Sequence, residues 1–170
     1  INRIPKITGT AFLLTTEGKN KRVAEMKFLR AYYYFILTQA FGKVPGLLDE
    51  NIGVLTEMKR ASVPSIYNAM ISDLRFASDN LPATQSDLAR PAQSAAQHLL
   101  AKVYLTRGSA ITEQRGQKTT DMDSAAFHAE KVIAYKGALL PNYDDARRNT
   151  NENNKEVLFA VQYTTNQLYD

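Results

Sequence analysis

AEMKFLRAYYYFILTQAFGKVPG, residues 24–46, is the stretch that decides the fold of this chain. Apolar side chains recur in it at steps of three and four along two neighbouring lines, which is the spacing of an α-helix. Only a thin polar strip near Arg30 interrupts them, and a helix that is apolar nearly all round is buried on several sides. We therefore predict a buried helix over about residues 23–41. Gly42 ends it, and Pro45 prevents it from restarting.

Three more helices are indicated by apolar faces of helical spacing. We predict them over residues 62–80, over residues 91–108, and from Asp121 or Asp123 to Gly137. Serine and aspartate side chains can accept a free N–H at a helix start, and proline is tolerated there because its missing N–H had no partner. Both aspartates are therefore interpreted as helix caps.

The sequence changes character after the fourth helix. Residues 139–156 are polar and rich in asparagine, which is typical of a loop. Residues 157–163, VLFAVQY, are β-branched and aromatic, which predicts a strand. Because a single strand cannot satisfy its backbone groups, its partner is either an unrecognised earlier segment or a segment beyond residue 170. We favour the second.

Two helices share a local pattern. LRAYYYF at 29–35 and LLAKVYL at 99–105 place Leu, Ala and Tyr at matching positions, and each lies in a helix that another helix follows. Small residues at helix crossings with tyrosine beside them are typical of tetratricopeptide-type hairpins, although the connector after the first helix, about twenty residues, is too long for a regular array. We predict an all-α fold of tetratricopeptide-like helical hairpins with long loops and a minor strand near the C-terminus. Residues 1–170 are expected to form a single domain of a longer chain.

Composition excludes several classes of site. The sequence has no cysteine, which rules out disulfides, thiolate nucleophiles and cysteine zinc sites. The net charge of +4, from 21 basic and 17 acidic residues, is mild and scattered, so nucleic acid is not a predicted partner. No run reaches the roughly 18 apolar residues that span a bilayer. The start, INRIPKITG, lacks an initiator methionine and the pattern of a signal peptide, so we expect a processed chain or a fragment.

No constellation of residues predicts catalysis. His98 and His128 have no carboxylate at metal-ligand spacing and are interpreted as surface or hydrogen-bonded helix histidines. A calcium loop beginning at Asp121 fails at its sixth and twelfth positions. Ser124 stands one helical turn before His128, but no nucleophile elbow surrounds it. We predict no enzyme, no metal and no cofactor.

Nine tyrosines are the remaining unusual feature. Most stand at core spacing within helices, where packing is the plainer interpretation. Tyr143, Tyr163 and Tyr169 lie in loop-like or strand-like sequence and are the candidate ligand-binding residues. A tyrosine ring can stack on the face of a sugar while its hydroxyl forms a hydrogen bond.

Five motifs, in order, resemble the signature of the SusD/RagB family of outer-membrane nutrient-binding lipoproteins. The opening stretch matches the family's A-E-x-x-F-L-R-A-x-x-Y-F helix and its F-G-x-V-P end at Ala24, Glu25, Phe28, Leu29, Arg30, Ala31, Tyr34, Phe35, Phe41, Gly42, Val44 and Pro45. The other four are RASVPSIYNAMISDLRFASDNLP (60–82), ARPAQSAAQHLLAKVYLTRG (89–108), AEKVIAYKGALLPNYDDARR (129–148) and NKEVLFAVQY (154–163). The resemblance spans about residues 20–163, with Ala89 where the family usually has glycine.

The resemblance implies a tetratricopeptide-like scaffold in a binding protein without catalysis. Such proteins are tethered to the outer face of the outer membrane through a lipidated N-terminal cysteine, cap a TonB-dependent transporter barrel, and capture glycans or peptides for import. The lipidated cysteine is not in this sequence, and family members are several times longer, so the chain resembles an internal portion of one. Ligand-binding residues vary within the family, and none is carried over.

The leading hypothesis is therefore non-catalytic capture of a glycan, or another nutrient oligomer, by a surface lipoprotein that delivers it to a TonB-dependent transporter. The membrane is expected to be reached only through a lipid anchor that this chain lacks. The alternatives are a helical-repeat module for protein–protein interaction and an enzyme with an unrecognised site. Because a charge in a buried helix needs a partner, Arg30 is predicted to pair with a carboxylate or with helix-end carbonyls.

Overall fold

The structure is a computed structural model that describes residues 15–49, 57–111 and 113–162. Four α-helices account for most of it: α1 (Thr16–Phe41), α2 (Val63–Asn80), α3 (Gln93–Gly108) and α4 (Asp121–Lys136). Three short 3₁₀ helices cover Glu113–Arg115, Tyr143–Ala146 and Asn149–Asn151. Helix α1 packs on α2, α3 packs on α4, and α2 joins the two pairs through its contact with α3. The prediction of an all-α, helical-hairpin fold is confirmed.

The helix boundaries follow from local chemistry. The Ser62 hydroxyl accepts the Ser65 N–H at 3.3 Å, as predicted for the cap of α2. Gly42, at φ 66°, ends α1 in a left-handed conformation that glycine adopts without strain. Helix α1 begins well before the predicted start, at Thr16, where the Thr15 hydroxyl accepts the Gly18 N–H at 3.1 Å. Its first two turns are polar, so hydrophobic periodicity did not reveal them.

The predicted capping role of the aspartates at the start of α4 is wrong. The N-cap is Thr120, whose side chain makes no capping bond. Asp121 is the first residue of the helix and is fully buried against Arg107, with 2.6 Å between its Oδ1 and the Arg107 Nη2. A buried carboxylate is stable only when charged or polar partners satisfy it, and here the guanidinium takes that role.

The hydrophobic core lies between α1, α2 and α3. Its largest fully buried apolar side chains are on α2 and α3, and α4 contributes Ala125 to the cluster. The fully buried side chains of greatest volume in the described residues are Tyr67, Ile66, Met70, Leu74, Leu100, Val103 and Asp121.

The prediction that α1 is buried on several sides is wrong for the described residues. Tyr33 is 57% exposed and Phe41 is 71% exposed, and Ile36 and Leu37 are exposed beside them. Helix α1 packs mainly against α2 and only touches α3, so these neighbours cover one of its faces. The apolar pattern shows what the helix can bury, but not how many neighbours are present.

The three consecutive tyrosines each have a different environment. The Tyr32 ring is half-buried against Phe28 and Phe159, with centroids 6.4 and 6.2 Å away. The Tyr34 hydroxyl donates to the Pro45 carbonyl at 3.1 Å and accepts the Leu47 N–H at 2.9 Å, so it holds the Val-Pro-Gly loop against the helix. Tyr33, between them, has an exposed side chain.

The predicted strand near the C-terminus is not confirmed. Residues 157–162 form no strand, and Tyr163 lies outside the described residues. Two backbone hydrogen bonds involve this segment: a local one from the Val157 N–H to the Asn154 carbonyl, and one from the Ala160 N–H to the Leu88 carbonyl, each at 3.1 Å. The aromatic side chain that suggested a strand packs instead on α1, since the Phe159 ring lies edge-on to Phe28 at 5.2 Å.

Candidate functional site

An ion-pair cluster centred on the buried Asp73 joins α1 to α2. The Arg30 Nε and Nη2 donate to the two Asp73 carboxylate oxygens at 2.6 and 2.8 Å, and its Nη1 donates to the Leu48 carbonyl at 2.7 Å. Lys27 donates to the same carboxylate at 2.6 Å. The hydrogen bonds that Arg30 donates to Asp73 raise the pKa of Arg30 above its usual range. The prediction that Arg30 pairs with a carboxylate is confirmed, and the cluster is a structural tie because its polar groups satisfy one another.

A second buried pair joins α3 to the start of α4. The Arg107 Nε and Nη2 donate to the Asp121 carboxylate at 2.9 and 2.6 Å, and the Lys118 backbone N–H adds a third bond at 2.9 Å. Burial acts to raise the pKa of Asp121, but these hydrogen bonds outweigh it and hold the pKa below its ordinary value. The remaining Arg107 Nη1 donates to Asn68 on α2 at 3.2 Å, so this one side chain links three helices.

A polar groove, which we call the α2–α4 groove, opens above this pair and has a volume of about 370 Å³. Helices α2 and α3 and the start of α4 form its walls. Its lining residues are Asn68, Ile71, Ser72, Arg75, Tyr104, Arg107, Lys118, Thr120 and Ser124.

A smaller groove of about 280 Å³ lies beside α3 and α4, and we call it the α3–α4 groove. It is lined by Ala83, Gln93, Ser94, Gln97, Lys131 and Tyr135. Tyr135 is 47% exposed, and the side chains of Lys131 and Gln93 are also exposed. An accessible aromatic ring beside an ammonium and an amide has the chemistry to hold a sugar, because the ring takes its apolar face and the polar groups its hydroxyls.

The α3–α4 groove was not found from the sequence. Tyr135 stands within a helix, where packing was the plainer interpretation of a tyrosine. Helical spacing places it on α4, but the presence of the groove depends on α3 lying alongside. No local signal marks that juxtaposition.

Of the tyrosines predicted to bind ligand, Tyr143 is the one that the structure describes. It is 71% exposed in a 3₁₀ helix and lines neither groove. Its hydroxyl accepts a hydrogen bond from the Arg147 Nη1 at 3.1 Å, and that guanidinium lies 5.7 Å from the ring centroid. Tyr163 and Tyr169 lie outside the described residues, so all three remain predictions.

In the described part of the chain, no group of three His, Cys, Asp or Glu side chains is placed to hold a metal ion, and neither histidine belongs to such a group. His128 stacks on Tyr104 with 5.7 Å between ring centroids, and its Nδ1 lies 2.5 Å from the Gln97 Oε1. Burial lowers the pKa of both His98 and His128.

Across residues 15–49, 57–111 and 113–162, none of the helices has the length and apolar character of a membrane span.

Comparison with protein families gives a match over residues 13–105, to the SusD-like family described as "Starch-binding associating with outer membrane". A SusD-like protein of Bacteroides ovatus is 33% identical over 159 residues, which are 92% of this chain and 29% of that protein. The starch-binding protein SusD of Bacteroides thetaiotaomicron is 27% identical over 88% of this chain and 27% of its own length.

Solved structures give the same result. One, crystallised with a xylogluco-oligosaccharide, superposes with a TM-score of 0.78 at 30% identity and covers 96% of this chain and 32% of its own. A laminarin-binding SusD-like protein superposes with a TM-score of 0.76 at 27% identity over 93% of this chain and 33% of its own. The chain thus spans about a third of the length of the relatives it matches. It belongs to the SusD-like family, whose description links it to starch binding and to the outer membrane.

Proposed function

We propose that the protein containing this chain captures a glycan without transforming it, and hands the glycan to a TonB-dependent transporter in the outer membrane. The observation that carries the proposal is the likeness to a structure that holds a xylogluco-oligosaccharide, at 30% identity over 96% of this chain. Relatives named for starch and laminarin binding support the ligand class. Delivery to a transporter and attachment through a lipid anchor at the cell surface are part of the same proposal.

The α3–α4 groove is the part of the described surface with the best chemistry for a neutral sugar. The exposed Tyr135 ring supplies a stacking face, and Lys131 supplies an ammonium donor beside it. Gln93 donates one N–H of its amide to the Ser78 carbonyl and leaves the other N–H and the amide oxygen for a ligand. Gln97, deeper in the groove, already bonds Ser78 through its amide nitrogen and His128 through its amide oxygen, so it is held rigid. A rigid wall beside an exposed ring keeps the ordering cost of binding low.

The experiment uses the intact protein in native affinity gels that contain xyloglucan, laminarin, starch or polygalacturonate, together with an assay for new reducing ends. Retarded migration in at least one gel with no release of reducing ends is the expected result. No retardation in any gel, or steady release of product, would refute glycan capture without catalysis. Co-purification of a barrel protein with the intact protein from outer membranes tests the transporter.

Tyr135→Ala tests the groove within that experiment. Loss of one stacking face is expected to weaken glycan binding about twofold to tenfold. Tyr33→Ala is the matched control, because it removes an exposed tyrosine that lines neither groove. Tyr143→Ala tests the prediction from the sequence. Equal affinities for Tyr135→Ala and the control would move the sugar site away from the α3–α4 groove.

The alternative, a module for protein–protein interaction, is favoured by the exposed apolar side chains on α1, which include Ile36 and Phe41. A group of exposed apolar side chains is typical of a surface that binds another protein. Replacing Ile36 and Phe41 by charged residues should abolish association with a protein partner. If the partner and the glycan use separate surfaces, retention of this variant in glycan gels should not change. Loss of glycan retention in that variant would contradict the assignment of the sugar to the α3–α4 groove.

A further inference from the structure

The α2–α4 groove differs from the α3–α4 groove in its charge. Three of its lining side chains are cationic: Arg75, Arg107 and Lys118. None of its lining residues is acidic, among the residues that the structure describes. Asp121 lies beneath Arg107 and satisfies it with two hydrogen bonds, so that charge is already balanced.

The other two cations are not balanced. Arg75 is exposed and donates from its Nη2 to the Tyr104 hydroxyl at 2.7 Å, which is a neutral partner. Lys118 is exposed, and within the described ranges neither it nor Arg75 forms an ion pair. The Asp121 carboxylate beneath the groove attracts both Arg107 and Lys118, so among the described residues the three cations face one counter-charge. The groove therefore keeps an excess of two positive charges, which attracts an anion.

The neutral residues of the groove suit the rest of a sugar ring. Asn68, Ser72, Thr120 and Ser124 line it with amide and hydroxyl groups. The Ser124 hydroxyl donates to the Thr120 carbonyl at 2.8 Å and so still offers its lone pairs, while the Thr120 hydroxyl makes no capping bond. These groups can exchange hydrogen bonds with several sugar hydroxyls.

The aromatic residue of this groove does not supply a stacking platform. The Tyr104 ring is 2% exposed and stacks on His128 with an interplanar angle of 6°. It offers the groove its hydroxyl edge, already bonded to Arg75. Recognition here thus depends on charge and hydrogen bonds, in contrast to the exposed ring of the α3–α4 groove.

We infer that the α2–α4 groove binds the anionic group of an acidic saccharide, with Arg75 and Lys118 contacting its carboxylate or sulfate. Bonds from the guanidinium to a carboxylate are charge-assisted and geometrically selective, and the ammonium adds a point charge. The inference rests on the proposed function, because it specifies an acidic member of the glycan class for that same protein.

The test is isothermal titration of the intact protein with three probes: an oligogalacturonate, a sulfated oligosaccharide of similar length, and a neutral xylogluco-oligosaccharide. The variant is Arg75→Gln with Lys118→Gln. Its control is Lys43→Gln with Lys155→Gln, which changes the net charge equally at exposed positions outside the groove. All four side chains are exposed, so both variants are expected to fold, which their thermal unfolding would verify.

The groove variant is expected to lose about tenfold or more in affinity for the acidic probe that binds, with a weaker dependence of affinity on salt. The control variant should keep the affinity of the unmodified protein, and binding of the neutral probe should not change in either variant. Comparison of the two acidic probes shows whether a carboxylate or a sulfate is held.

Two results would overturn the inference and leave the proposed function standing. One is binding of the neutral probe with no binding of either acidic probe. The other is equal affinity of the groove variant and the control for an acidic probe. An acidic peptide that binds in a manner dependent on Arg75, while no acidic saccharide does, would assign the groove to a protein partner and also overturn it. If no saccharide of any kind binds, the proposed function fails together with the inference.

Discussion

Replacing Asp73 by alanine would leave two cations facing an apolar helix interface. Asp73 is 3% exposed and accepts hydrogen bonds from Arg30 and Lys27, whose side chains are 18% and 21% exposed. Breaking a fully buried ion pair from one side costs about 3–5 kcal/mol. Because water reaches part of both cations, we expect a smaller loss, about 2–4 kcal/mol in the free energy of unfolding.

Urea unfolding followed by far-ultraviolet circular dichroism measures this loss, as a lower midpoint at unchanged slope. Asp79→Ala is the matched control on the same helix, since Asp79 is exposed and a substitution there is expected to stay within about 0.5 kcal/mol. A loss below about 0.5 kcal/mol for Asp73→Ala, equal to that of the control, would refute the conclusion that this cluster ties α1 to α2.

Further predictions concern the other ties of the scaffold. Gly108→Ala should destabilise the protein by about 1–2 kcal/mol in urea unfolding, because its new Cβ would lie 2.8 Å from the Asp121 Cβ; an unchanged or higher midpoint would contradict the close approach. The folded-state pKa of Asp121 lies below its ordinary value of 3.8, so its contribution to the free energy of unfolding is complete above pH 3.8 and is lost as the pH falls through the folded-state pKa. Below about pH 5, the free energy of unfolding should therefore depend less steeply on pH in Asp121→Asn than in the unmodified protein. Equal slopes would show that this carboxylate is not coupled to folding. Tyr34→Phe should cost about 0.5–1.5 kcal/mol, through loss of the bonds to the loop after α1, while Tyr33→Phe should cost nothing measurable; equal effects would remove Tyr34 from that role.

Local signals were sufficient to predict the four helices and most of their ends. Ser62 caps α2 as predicted, Gly42 and Gly137 follow the ends of α1 and α4, and Arg30 has the carboxylate partner that a charge in a helix interface requires. Each of these outcomes depends on a few neighbouring residues or on a single desolvation cost, which sequence alone specifies.

Local signals failed where the outcome depended on a neighbour. Residues 157–162 have the composition of a strand, but no partner strand is among the described residues, and Phe159 packs on a helix instead. Asp121 stands where a cap was expected, yet the approach of α3 turns it towards Arg107. In both places a tertiary contact outweighed a local preference.

The candidate sites show the same division. Sequence placed Arg75, Tyr104 and Lys118 on or between helices without indicating that they share one groove, since the outer two stand 43 positions apart. The sequence likewise did not indicate that Tyr135 borders a groove. A groove exists only when two surfaces meet, and the position of those surfaces is a property of helix packing.

The sequence by itself determined the helices, most of their ends, the pairing requirement of Arg30 and the family, because hydrophobic periodicity, capping and desolvation act over short distances along the chain. The tertiary structure decided which face of α1 is covered, which partner Asp121 takes, and where unbalanced cations and an exposed ring border a groove. Those features depend on the relative positions of whole helices, which are fixed by packing between residues far apart in the sequence.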